Sequence, residues 1–274
     1  MFLNAKNENI RIGDTDCDFI SFGTGSEPLL MIPGVGDGLK TAKGIALPFA
    51  AMYRKYAKDF TVYVLSRRNG IPEGFTTADM ANDAAYIMEQ RGIGPAHVYG
   101  VSQGGMIAMQ LAIRHPDKVK SLVLAVTASR PNDLMRESIE GWKEILERGD
   151  YAGFMRDDAC RCYTGSYLAR GLFMNRLAAL AKPRDLTRFY ILCDACLAHD
   201  CYDQLDRIQC PTLILGAGRD RVLGPQASVE MREKIPGSRL HIYRGYSHGV
   251  YEQAPDFDDR VIRFCASHKG AAEA

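Results

Sequence analysis

What this 274-residue chain lacks narrows its possibilities first. It has no excess charge of either sign: 34 Lys and Arg stand against 33 Asp and Glu, a net +1, so nothing in the balance calls for nucleic acid or another bulk polyanion. It has no apolar run near the roughly 20 residues of a membrane span. Met1 to Arg11 also lacks an apolar stretch of signal-peptide length. A cytoplasmic protein with no membrane attachment is the expectation. Internal repeats and low-complexity blocks are missing too, which sets aside solenoids and disordered arrays.

Cysteine is not scarce, but the setting for disulfides is. Eight cysteines in a long chain without an export signal read as reduced thiols. Cys160-x-Cys162 with Cys193-x-x-Cys196 can be written as a four-thiolate zinc site. Both pairs lie in helix-like sequence rather than on loops, so buried, unreactive cysteines are the preferred reading.

What is present is enough apolar sequence, 46% of residues, to fill the core of one large α/β domain or of one domain with an insertion. Asn9 to Ile12 and Cys17 to Phe22 read as short strands about a Gly13-Asp14 turn, and Leu29 to Ile32 as a buried third strand. The loop Pro33-Gly34-Val35-Gly36-Asp37-Gly38 follows. No Gly-Lys-Ser/Thr closes it and its glycine spacing does not fit a dinucleotide fingerprint, which leaves an oxyanion loop. An amphipathic helix is expected at about Thr41 to Lys58, a fourth strand at Phe60 to Leu65, and a helix at Thr77 to Arg91 capped by Thr76 or Thr77. Ala96 to Gly100, Gln103 to His115 and Ser121 to Val126 continue the strand and helix rhythm. Their unbroken apolar strands suit a parallel sheet covered on both faces.

From about Pro131 to Ile208 no strand is evident and the pattern is helical, with Trp142, Phe154 and Phe189 among its apolar residues. The rhythm resumes with strands at Thr212 to Leu215 and Arg239 to Tyr243, helices at Ala227 to Lys234 and Phe257 to Ser267, and a frayed tail from Lys269. The expected architecture is an eight-stranded, mostly parallel α/β sheet flanked by helices. Residues 1–130 and 209–274 would form its core, and 131–208 a helical cap inserted after strand six.

One stretch carries chemistry. Gly100-Val101-Ser102-Gln103-Gly104-Gly105 joins a strand-like run to a helix-like run through Gly-x-Ser-x-Gly, where small residues flank a serine held in a crowded turn. Chance occurrence in a glycine-rich chain is the plain alternative, so partners must decide. A serine hydroxyl needs a base, and the base needs a group to orient it. In a parallel sheet those groups stand just after strands. Asp220 follows the seventh strand and His248 the eighth, giving the order Ser, Asp, His. His199 is the rival base and Asp133 the rival acid; alone, Asp220 can be read as a loop carboxylate paired with Arg219 or Arg221 and His248 as a solvated turn residue, but the joint pattern favours a triad.

With these residues in view the chain resembles the α/β-hydrolase superfamily, in its cap-bearing branch of esterases, enol-lactonases, C–C bond hydrolases and cofactor-free haloperoxidases. The resemblance covers almost the whole chain and is most specific at Gly100 to Met106, with support from Leu30 to Gly34, His115 to Leu124, Pro211 to Gly216 and Gly245 to His248. It implies Ser102 as nucleophile, His248 as base, Asp220 as orienting acid, and the backbone N–H groups of Val35 and Gln103 as oxyanion hole. Two departures stand out. Pro33-Gly34 replaces the His-Gly common in relatives, and Ser66 to Gly70 lacks an aspartate frequent there.

A serine in the elbow argues against dehalogenases and epoxide hydrolases, which use an aspartate there. The expected reaction is hydrolysis of an ester, lactone or thioester through an acyl-enzyme. Two alternatives are C–C cleavage of a diketone-like substrate with the same triad, and a ligand-binding or signalling protein on a hydrolase scaffold. Gly34, Arg67, Arg130 and Trp142 are candidate substrate contacts, the arginines for a carboxylate and the tryptophan as part of an apolar roof. No metal or organic cofactor is called for, since a triad supplies nucleophile and base unaided. The expected partners are a small-molecule substrate and at most a second copy in a homodimer, with no nucleic acid and no membrane.

Overall fold

A computed structural model describes residues 2–178 and 182–269. The tail read as frayed lies, from residue 270 on, outside the described residues.

Eight strands form one sheet: β1 (Lys6–Ile12), β2 (Thr15–Phe22), β3 (Glu27–Ile32), β4 (Phe60–Arg68), β5 (Ala96–Val101), β6 (Val119–Ala125), β7 (Thr212–Ala217) and β8 (Arg239–Tyr243). Their order across the sheet is β1-β2-β4-β3-β5-β6-β7-β8. The first two pairings are antiparallel and all others parallel. The order reverses beside β3, which pairs with β4 on one side and β5 on the other, so the loops leaving β3 and β5 diverge and open a crevice at their carboxyl ends.

Ten α-helices are described: α1 (Ala46–Met52), α2 (Thr77–Gln90), α3 (Gln103–Arg114), α4 (Asp133–Glu147), α5 (Tyr151–Cys162), α6 (Gly165–Ala178), α7 (Thr187–Leu197), α8 (Gln226–Lys234), α9 (Val250–Gln253) and α10 (Phe257–Ala266). α2, α3 and α8 pack on one face of the sheet with Leu30, Val98 and Ile214, and α1, α9 and α10 on the other with Leu29, Tyr99 and Leu215. The strands interleave residues for both faces, which is why they read as continuous apolar runs. A third cluster joins Met106 of α3 to α4, α5 and α7 and to Val222 and Leu223.

The elements follow the sequence reading with instructive exceptions. The helix expected from Thr41 to Lys58 is shorter: Gly44 sits at φ +78, which ends any helical run through it, and α1 begins only at Ala46. α2 opens with a capping box in which the Thr76 hydroxyl accepts from Asp79 N–H and the Asp79 carboxylate accepts from Thr76 N–H. β4 runs to Arg68, three residues beyond Leu65, and this places Arg67 inside the sheet rather than on a loop. Between β6 and β7 no strand occurs among the described residues; the chain there is helical. Among the described residues no helix is long and apolar enough to cross a membrane.

Candidate active site

β5 ends at Val101 and α3 begins at Gln103, so Ser102 alone turns the chain, at φ 53 and ψ −121. A non-glycine residue in that region carries roughly 1–3 kcal/mol of strain and persists only where its surroundings hold it. Here Ser102 N–H donates to Ala125 O at 2.9 Å, and the Thr127 hydroxyl donates to Ser102 O at 2.7 Å. The flanking glycines are required by close approach: a Cβ on Gly100 would stand 2.3 Å from Gly104 O, and one on Gly104 1.8 Å from Ile32 O.

The loops after β7 and β8 bring two more side chains to this turn. His248 Nε2 lies 3.1 Å from Ser102 Oγ, and His248 Nδ1 lies 2.9 Å from Asp220 Oδ2. The other carboxylate oxygen, Asp220 Oδ1, accepts the N–H groups of Val222 and Leu223 at 2.8 and 2.9 Å. Burial pushes the Asp220 carboxyl up, but the His248 ring and the two N–H groups outweigh it and hold the group below its ordinary value. An ionised carboxylate only accepts, so the ring proton belongs on Nδ1 and Nε2 is left to accept from the serine hydroxyl. The histidine loop is tied to α5, with Gly249 N–H donating to Cys162 O at 2.7 Å and the Ser247 hydroxyl to Arg161 O.

Among the described residues neither Val35 N–H nor Gln103 N–H donates a hydrogen bond, as expected where a short helical turn and α3 begin with unsatisfied donors. The Gln103 side chain is fully engaged: Nε2 donates to Leu192 O of α7 at 2.6 Å and Oε1 accepts from Arg67 Nη2 at 2.8 Å.

The substrate contacts read from the sequence divide. Gly34 lines a cavity beside the serine. Arg67 does not reach it; the side chain is buried, donates from Nη2 to Pro33 O at 2.6 Å and to Gln103, and so ties the β3 loop to α3. Burial lowers its pKa, and Nε and Nη1 have no partner. Arg130 is at the surface, paired with Glu230 at 3.2 Å and stacked 3.8 Å over the Tyr202 ring. Trp142 belongs to the core of the helical stretch, edge-on to Phe154, with Nε1 donating to Asp157 at 2.9 Å. Only Arg67 is displaced by a longer element, the extended β4; Arg130 lies between β6 and α4 at the surface, and Trp142 sits on the face of α4 that packs into the core.

The rivals are accounted for as well. His199 is buried, its Nδ1 2.8 Å from Thr77 Oγ1, and burial lowers it to about 4. Asp133 is the first residue of α4, where a carboxylate favours the helix dipole. Cys160 and Cys162 lie on α5, Cys193 and Cys196 on α7, and among the described residues no group of three or more His, Cys, Asp or Glu is arranged to hold a metal.

Three residues the sequence did not single out matter here. Asp37, buried in the glycine-rich loop, accepts Arg67 N–H at 3.0 Å and Arg188 Nη2 at 2.7 Å; Arg188, just inside α7, also donates to Asp37 O and to Arg67 O. Asp158 on α5 stands near His248, and burial pushes its carboxyl up to about 6, against the hydrogen bond from Cys162 and the pull of the histidine. The Asp37–Arg188 pair spans 151 residues, so no local pattern announces it.

A mostly parallel sheet of this order, with a serine elbow after β5 and Asp and His loops after β7 and β8, is the α/β-hydrolase fold. A family model for that fold matches residues 27–159. RutD of Azorhizobium caulinodans, provisionally named a carbamate hydrolase, is 26% identical over 257 residues, 92% of this chain and 96% of that protein. The pimeloyl-[acyl-carrier protein] methyl ester esterase of Neisseria meningitidis serogroup B is 29% identical over 164 residues, 57% of this chain and 63% of that protein. The enol-lactonase of Burkholderia xenovorans LB400 superposes with a TM-score of 0.80 at 19% identity, covering 94% of this chain and 100% of that one.

Proposed function

We propose that the chain is a serine hydrolase that cleaves a carboxylic ester, thioester or lactone of a small, partly apolar molecule through an acyl-enzyme on Ser102. The observation that carries the reading is the hydrogen-bonded line from Ser102 Oγ through His248 to Asp220, at 3.1 and 2.9 Å, with the serine held in a strained turn. His248 Nε2 takes the hydroxyl proton as Oγ attacks the carbonyl carbon, and Asp220 stabilises the imidazolium that results. The N–H groups of Val35 and Gln103 receive the oxyanion. The protonated ring then gives its proton to the leaving oxygen or sulfur. A water, deprotonated by the same nitrogen, releases the acid and restores the serine. The names of two relatives, an ester hydrolase and a lactonase, support the substrate chemistry. Residues 131–208 are assigned as a cap, supported by the bonds from α5 to the histidine loop and from α7 to Gln103.

A fluorophosphonate probe followed by peptide mapping tests the reading. Label is expected on Ser102 and absent in His248→Ala, while Ser102→Ala abolishes turnover. A folded protein that takes no label, or full activity in Ser102→Ala, refutes it.

A further inference from the structure

A cavity of about 300 Å³ opens beside the nucleophile, on the sheet face that carries α1 and α9. It begins at Gly34 and Val101, where a Cβ on Gly34 would stand 3.8 Å from Ser102 Oγ. From there it runs back along β3, β4 and β5 to Phe49, Tyr53, Tyr99 and Tyr251. Among the described residues none from α4 to α7 lines it. The helices between β6 and β7 instead close on one another and on Met106, Val222 and Leu223. We propose that this slot, and not the space beneath those helices, receives the acyl group of the substrate, and that this group is uncharged and built around a ring. The inference rests on the serine-hydrolase reading and gives it a substrate class.

Size and charge both argue for it. The slot measures about 300 Å³. That lies at the small end of ligand pockets, and its apolar walls with a few polar groups are typical of them. Phe49 and Tyr53 stack with centroids 4.5 Å apart and planes 22° apart, offering ring faces to a flat guest. Burial pushes the Tyr99 hydroxyl well above its ordinary value, so it stays a neutral phenol able to meet a carbonyl or hydroxyl.

The charged lining residues leave no place for an anion. The Asp37 carboxylate is held by Arg188 and by Arg67 N–H, and the Glu252 carboxylate accepts the Tyr163 hydroxyl at 2.7 Å. Lys40, the cation among the described lining residues, is exposed. A substrate carboxylate carried inward would be desolvated with no buried cation among the described lining residues to pair with and with the buried Asp37 carboxylate nearby. Arg67, the residue that from sequence stood ready for such a carboxylate, points its bonds elsewhere.

Two experiments on the full chain test this. With 4-nitrophenyl esters, kcat/KM for the phenylacetate should exceed that for the hemisuccinate at least tenfold. Ile45→Trp, which fills the slot, should lower the phenylacetate-to-acetate ratio at least tenfold. In a crystal structure of wild-type protein phosphonylated by a phenylalkyl fluorophosphonate, the ring should lie between α1 and α9. A ring lodged beneath α4 to α7, a hemisuccinate hydrolysed as well as the phenylacetate, or an unchanged ratio in folded Ile45→Trp overturns the slot. Ser102 labelled with its ring elsewhere sinks the slot alone; an unlabelled Ser102 sinks the serine-hydrolase reading with it.

Discussion

Asp220→Asn offers the sharpest test of the site, because the surroundings dictate how the new amide must point. Asp220 Oδ1 accepts two backbone N–H groups, at 2.8 and 2.9 Å, and an NH2 in that place would face two donors. The asparagine oxygen therefore takes the Oδ1 position, and its nitrogen faces His248 Nδ1 across the present 2.9 Å. Nδ1 must then accept, which moves the ring proton to Nε2, opposite Ser102 Oγ. A ring in that tautomer cannot take the serine proton, and the imidazolium loses its counter-charge. Triads that lose the orienting carboxylate in this way fall about ten-thousandfold, a rise of about 5 kcal/mol in the barrier at 1.36 kcal/mol per tenfold. The change conserves shape and keeps both backbone bonds, so the melting midpoint should fall by only a few degrees. Steady-state kcat/KM with a 4-nitrophenyl ester, read beside a thermal melt and the rate of fluorophosphonate labelling, measures both. A folded variant that loses less than tenfold would show that Asp220 does not set the histidine tautomer.

Gly104→Ala forces a Cβ to 1.8 Å from Ile32 O, so strand β3 and helix α3 must separate; a loss of 2 kcal/mol or more in urea denaturation is expected, and an unchanged midpoint would contradict the packing. Arg188→Ala leaves the Asp37 carboxylate buried without its partner, and about 2–4 kcal/mol of stability should go with it; Arg188→Ala with wild-type stability would mean the pair does not hold α7 to the glycine-rich loop. Burial lowers both His97 and His199 to about 4 from 6.5, so as pH falls the unfolded chain takes up their protons first. Their stabilising contribution is whole above about pH 6.5 and is lost on the way down to pH 4, at most about 3 kcal/mol per ring. Chemical denaturation across that range should show a shallower decline in His199→Gln than in wild type, and identical slopes would refute the assignment.

The parts of the molecule that the sequence announced are those whose demands are local. A serine at positive φ between a strand and a helix needs glycine at fixed offsets, and Gly100 and Gly104 supply it within five residues. Asp220 and His248 each follow a strand whose apolar run is legible, so their meeting follows once the strands are taken as parallel neighbours. Contacts whose reasons lie far apart in the chain were hidden. Nothing near Arg67 tells that its guanidinium serves Pro33 and Gln103, and nothing near Asp37 foretells Arg188. Trp142 shows a third limit: an apolar side chain in a helical stretch reads the same whether it faces a ligand or, as here, Phe154 and Asp157. The cavity beside Ser102 was invisible for a related reason, since it is a gap between elements rather than a property of any one of them.

The eight unpaired thiols have a practical consequence. Burial raises the pKa of Cys17, Cys162, Cys193, Cys196, Cys201, Cys210 and Cys265, to about 12 for Cys196, Cys201 and Cys265, so the folded protein presents almost no thiolate at these positions to an alkylating reagent. They are spread over distinct parts of the molecule: Cys17 on β2, Cys162 on α5, Cys193 and Cys196 on α7, and Cys265 on α10. Each becomes reactive only when its own neighbourhood opens. Timed alkylation read peptide by peptide thus turns the natural cysteines into a set of clocks, recording the order in which this protein comes apart without a single engineered label.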